Sequence, residues 1–123
     1  MEHPTIILTG ASQGIGAAAA KVAARRGAQL VLAARNREAL EEVADEVGSL
    51  GGTAVIVAGD VSDYAVCMEI VRQAVATFGR VDALINNAGI IGPLTLAADL
   101  PLDEWKRTIE VDLFGAVWLC REA

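Results

Sequence analysis

Only two cysteines and one histidine stand among the 123 residues, so a disulfide scaffold or a His/Cys metal site has almost nothing to be built from. Cys67 and Cys120 lie on apolar helical stretches and are expected to be buried free thiols. His3, alone ahead of Pro4, is given no role. Long apolar runs are missing as well. The longest, Leu113 to Cys120, covers eight residues counting Gly115, against the roughly 18–20 that a membrane span needs. The N-terminus has no basic region followed by an apolar one, so a cytoplasmic protein is expected. Basic residues are outnumbered 10 to 16, for a net charge of −6 and an isoelectric point near 4.6. That balance argues against nucleic acid as a partner. Repeats, charge blocks and low-complexity linkers are absent too, which leaves one domain or part of one.

What is present is apolar: 54% of the residues are hydrophobic, and the mean hydropathy is +0.43. Strands buried on both faces and alanine-rich helices account for this, as in a parallel sheet covered by helices. Strand and helix signals alternate throughout, which predicts right-handed crossovers. Strands are expected at Thr5–Leu8, Gln29–Ala34, Thr53–Ala58 and Val81–Ile85. Helices are expected from Gly14 to Arg26 with Gly27 as the stop, and from Arg37 to Gly48. A third should run from Asp63 to Phe78, with Ser62 as its N-cap and Gly79 closing it. A last helical region starts at Leu102 behind Pro101. The second helix is amphipathic, since Leu40, Val43, Ala44 and Val47 recur at three and four residues while Glu38, Glu41, Glu42, Asp45 and Glu46 face water.

Four of these segment ends carry chemistry. Thr9-Gly10-Ala11-Ser12-Gln13-Gly14-Ile15-Gly16 joins the first strand to the first helix, and helix N-terminal N–H groups attract an anion such as a pyrophosphate. Gly10 can take angles a β-carbon forbids, and Gly14 and Gly16 allow close approach. Ser12 caps the helix, lines the turn, or does both. Ile15 is expected to pack the helix start while offering its N–H. At the end of the second strand Ala34 stands where an acidic residue would select NAD, and Arg35 follows. An arginine fork suits a 2′-phosphate, so NADP is preferred over NAD, with Arg37 assisting. The alternative for Arg35 is a solvated loop residue. Asp60-Val61 ends the third strand, where the carboxylate either accepts from an adenine amino group or shapes a turn. Asn86-Asn87-Ala88-Gly89 ends the fourth, where one asparagine can tie strands together and Ala-Gly leaves room for a ribose.

This ordered set resembles the N-terminal half of the short-chain dehydrogenases/reductases, over essentially all of residues 1–123. The resemblance implies a Rossmann-like, doubly wound parallel sheet, here its first four strands in the order 3-2-1-4. It implies cofactor contacts at Gly10, Ser12, Gln13, Ile15, Arg35, Asp60, Val61, Asn87 and Gly89, with Asn86 serving the structure. The implied activity is NADP(H)-dependent hydride transfer between nicotinamide and a small carbonyl or alcohol substrate, in a homo-oligomer built partly through the last helix.

Two departures from the family pattern matter. The family's Val-Asn-Leu-x-Gly reads Val111-Asp112-Leu113-Phe114-Gly115 here. The family asparagine interrupts its helix and holds a water for a catalytic lysine, so Asp112 is the candidate for that role. The family's serine and Tyr-x-x-x-Lys have no counterpart, since the one tyrosine, Tyr64, is followed four residues on by Met68. The fourth strand also forms an unpaired apolar edge, which invites aggregation unless covered. The expectation is that these residues form the cofactor-binding part of a longer reductase. The alternative is a half-protein that binds a nucleotide without transferring hydride.

Overall fold

The computed structural model describes residues 3–123. Four parallel strands, β1 (Thr5–Thr9), β2 (Gln29–Ala34), β3 (Thr53–Ala58) and β4 (Ala83–Ile85), lie in the order β3-β2-β1-β4. The helices are α1 (Gly14–Ala24), α2 (Arg37–Ser49), α3 (Tyr64–Phe78), α4 (Leu102–Ile109) and α5 (Gly115–Glu122). A short 3-10 turn at Ala97–Asp99 precedes α4, and a π-helical turn at Glu110–Phe114 joins α4 to α5. The alternation and the strand order therefore match the sequence reading.

Strand alternation sorts the core into two layers. Ile7, Val31, Ala33 and Val57 point to one face and pack on Cys67, Ile70 and Ala74 of α3, with Val111 and Leu119 beyond them. Leu8, Leu30 and Leu32 point to the other and pack on Ala20 and Ala24 of α1 and on Leu40, Val43 and Val47 of α2. The small alanines of α1 let its backbone lie close to the sheet, and Lys21 pairs with Glu46 at 2.5 Å to link α1 and α2.

Element ends differ from the sequence reading for local reasons. The first helix closes at Ala24 rather than Arg26 because its last turn tightens: Gly27 N–H donates to Ala24 O and Ala28 N–H to Ala23 O. Gly27, at φ +75°, makes that closure possible. The third helix begins at Tyr64, and its N-cap is Asp63, which accepts from Ala65 N–H at 3.0 Å. Ser62 is not the cap because its hydroxyl donates to Asp60 Oδ1 at 2.8 Å. The fourth strand starts at Ala83 rather than Val81, because Asp82 turns its carboxylate back to accept from Thr5 N–H at 2.8 Å. Of the two cysteines, Cys67 is buried as expected but Cys120 is exposed. Burial pushes the Cys67 thiol up to about 11, which leaves it inert as a nucleophile.

Asn36 caps α2 by accepting from Ala39 N–H at 3.1 Å. Truncating it to alanine removes that bond, and Asn36→Ala is expected to cost about 1 kcal/mol in urea unfolding.

Candidate functional site

At the carboxyl ends of the strands, a cleft of about 280 Å³ opens between the glycine turn, the β2 and β3 ends and the loop after β4. Gly10, Ser12, Gln13, Arg35, Asp60, Val61 and Gly89 all line it, so residues up to 79 positions apart converge on one groove. The parallel register explains the convergence, since every strand delivers its C-terminus to the same edge.

The floor of the cleft is the glycine turn, and each glycine there has a distinct reason. Gly10 (φ +61°) has no room for a side chain, because a β-carbon would stand 2.8 Å from Asn87 Nδ2. Gly14 (φ +55°) faces open space and is required by its backbone angle alone. Gly16 is pressed against the turn, and a β-carbon there would lie 2.1 Å from Gly10 O. The N-cap of α1 is Gln13, whose side chain makes no capping bond. The first N–H groups of the helix are thus left for an anion. Ser12 does not cap the helix. Ile15 is 80% exposed, so it does not pack the helix start, and its side chain is outside the cleft lining.

Both asparagines bond within the fold. Asn87 meets the β1 exit: its N–H donates to Thr9 Oγ1 at 3.0 Å, and its Nδ2 to Thr9 O at 3.2 Å and Gly10 O at 3.3 Å. It does not line the cleft. Asn86 points the other way and donates to Ala116 O at 3.2 Å and to Cys120 Sγ at 3.4 Å. Alternation along the strand end decides this, because consecutive side chains project to opposite faces. Sequence alone offers no sign of which asparagine meets β1.

Asp60 works as a turn residue and a cleft residue at once. Its Oδ1 accepts from Ser62 N–H at 2.9 Å and from the Ser62 hydroxyl, while its Oδ2 accepts from Arg107. Burial pushes the Asp60 carboxyl up, but the bonds from Arg107 and Ser62 outweigh it and hold the group below the ordinary range. Arg107 also donates to the Ser62 hydroxyl at 2.5 Å and itself lines the cleft. Nothing in the sequence singles out Arg107, which lies 47 residues from Asp60 on another element. Arg35 is exposed at the cleft rim and forms no ion pair or hydrogen bond among the described residues.

Asp112 sits in the π-helical turn, where Gly115 N–H reaches back to Glu110 O. The helix is therefore interrupted at the expected place. The Asp112 carboxylate accepts from Ile90 N–H at 2.8 Å and pins the loop that follows Gly89. It does not line the cleft. Tyr64 is used structurally, donating to Glu122 and standing edge-on to Trp118 with ring centroids 5.6 Å apart. The bond to Glu122 raises its pKa. Among the described residues no group of three or more His, Cys, Asp or Glu side chains is placed to hold a metal, and no helix is long and apolar enough to cross a membrane.

A parallel sheet in this order, with helices on both faces and a glycine turn at its carboxyl edge, defines a Rossmann-like α/β protein. The chain belongs to the short chain dehydrogenase family, whose model matches residues 4–123. It is 40% identical to an L-rhamnose 1-dehydrogenase (NAD(P)(+)) from a Sphingomonas species over 124 aligned positions, covering all of this chain and 48% of that protein. Among solved structures it resembles L-sorbose reductase from Gluconobacter frateurii complexed with NADPH and L-sorbose (TM-score 0.93, 32% identity, 99% of this chain and 46% of that one). It also resembles an NAD+-bound xylitol dehydrogenase (TM-score 0.92, 32% identity, 97% and 46%). The chain thus spans about half the length of these relatives.

Proposed function

We propose that these residues form the cofactor-binding part of an NADP(H)-dependent oxidoreductase that transfers hydride between nicotinamide and a small carbonyl or alcohol substrate. The fit of a dinucleotide is supported by the cleft that Gly10, Ser12 and Gln13 line beside the uncapped N-terminus of α1. Gly10, Ser12, Gln13 and the N–H of Ile15 would hold the pyrophosphate, Val61 and Asp60 the adenine, and Gly89 and the Asn87 backbone the ribose. Bound there, the nicotinamide supplies or accepts the hydride. The protein's own part is to orient it and keep its anionic groups paired.

The observation that carries NADP over NAD is Arg35. It is a cation at the cleft rim with no competing partner among the described residues, following Ala34 where an acid would repel a 2′-phosphate. NADPH is expected to bind the protein tighter than NADH in a fluorescence titration. Arg35→Ala should weaken NADPH about 10–100-fold and NADH by no more than a few-fold. Equal loss for both, or none for either, overturns the assignment.

Residues 1–123 supply no Tyr-x-x-x-Lys, and the one tyrosine is bonded to Glu122 outside the cleft, so on this reading the proton donor lies elsewhere in the functional protein. Asp112, in place of the family's asparagine, serves by fixing the loop between Gly89 and Gly92 rather than by proton transfer. The functional protein is proposed to be a cytoplasmic homo-oligomer.

A further inference from the structure

Arg107 is the feature that the cofactor-binding reading leaves unused. It reaches from α4 across the cleft wall to Asp60 and Ser62, and its guanidinium and both partners are only about one-third exposed or are hydrogen-bonded within the cluster. Each Asp60 oxygen is thereby gripped from one side, Oδ1 by Ser62 and Oδ2 by Arg107. A carboxylate oxygen has two lone-pair sites, so Oδ1 is filled by the N–H and hydroxyl of Ser62 while Oδ2 can still accept one more donor from the cleft. The grip fixes the carboxylate plane and removes the rotation by which an exposed aspartate would trade a ligand for water.

We propose that Arg107 is a positioning residue for base recognition: by clamping Asp60 from α4, it makes this site select a purine that presents an exocyclic amino donor over one that presents a carbonyl. The proposal rests on the dinucleotide reading above. A merely structural ion pair would join α4 to the β3 end and affect all nucleotides alike. A positioning clamp acts on one contact, so it changes the ratio between bases rather than the overall affinity. The same residue also borders the shallow groove formed by Ile90, Gly92 and Thr108.

The test compares NADPH with its hypoxanthine analogue, in which a carbonyl oxygen replaces the adenine amino group. Affinities are read by nucleotide fluorescence in the full-length protein. The unsubstituted protein is expected to prefer the adenine form by about tenfold or more, since a charged hydrogen bond is exchanged for oxygen–oxygen repulsion. Arg107→Leu should bring that ratio to within about threefold of unity. Arg107→Lys, which keeps the charge but cannot fork to both Asp60 and Ser62, should give an intermediate ratio. It also serves alone if the leucine variant does not fold, as judged by circular dichroism. An unchanged ratio in the folded variants, with or without an equal loss for both nucleotides, overturns the proposal. Tight NADPH binding with no base preference in the unsubstituted protein also overturns it while leaving the dinucleotide reading intact. Failure to bind either nucleotide overturns the reading itself.

Discussion

Replacing Gly16 by alanine is expected to cost about 3 kcal/mol or more and to lower the melting temperature by about 12 °C or more. The cause is backbone meeting backbone. The new methyl would lie 2.1 Å from the Gly10 carbonyl oxygen and 2.8 Å from its carbon, and no side-chain rotation can relieve that. The turn or α1 must move, and α1 is held to the sheet by Ala20 and Ala24, which are fully buried. Two neighbours make the experiment discriminating. Gly14→Ala meets nothing within 4 Å and suffers only from its positive φ, a cost of about 1 kcal/mol. Gly48→Ala, inside α2 and equally unobstructed, should stabilise by about 0.5–1 kcal/mol. Thermal melts of the three variants should therefore rank Gly48→Ala above Gly14→Ala, and both far above Gly16→Ala. A Gly16→Ala melt no lower than that of Gly14→Ala would sink the crowding argument.

The contrast between these glycines shows what was readable in the chain. The Gly-x-x-x-Gly-x-Gly spacing locates the turn because strand and helix signals flank it, and those signals are properties of neighbouring residues. The strands at Gln29–Ala34 and Thr53–Ala58 were legible to the residue for the same reason: each is a short apolar run bounded by turn chemistry. What was not legible depends on contacts across the sheet. Whether Asn86 or Asn87 faces β1 turns on the side to which a three-residue strand delivers its exit. Whether Ser62 caps α3 turns on whether Asp60 and Arg107 claim its hydroxyl first. Ile15 reads as packing because it is apolar, but among the described residues nothing covers that side of the helix start. Arg107 had no local signal at all. Its partner is chosen by the path of α4 over the cleft, and that path depends on the loop Asp112 pins through Ile90 N–H.

Thr9 carries the second large effect. It is 1% exposed, and its hydroxyl oxygen accepts from two backbone donors of the β4 exit, Asn87 N–H at 3.0 Å and Ala88 N–H at 2.9 Å. Valine has the same shape and offers no acceptor, so Thr9→Val leaves both N–H groups without a partner inside the fold. Each such loss costs about 1–3 kcal/mol, so a total of about 3 kcal/mol is expected in denaturant unfolding. Thr9→Ser keeps the oxygen and removes only a methyl group, with an expected cost near 1 kcal/mol. The Asn87 amide bonds to Thr9 O and Gly10 O belong to the same web, so Thr9→Val and Asn87→Ala should be strongly non-additive. The double variant is expected to lose clearly less than the sum of the singles. Additive losses, or a Thr9→Val cost within 1 kcal/mol of zero, would show that these bonds act independently or are replaced by water. The web also sets the spacing between the glycine turn and Gly89, which both line the cleft. Thr9→Val at a temperature where it remains folded should therefore weaken nucleotide binding as well, although Thr9 itself does not line the cleft.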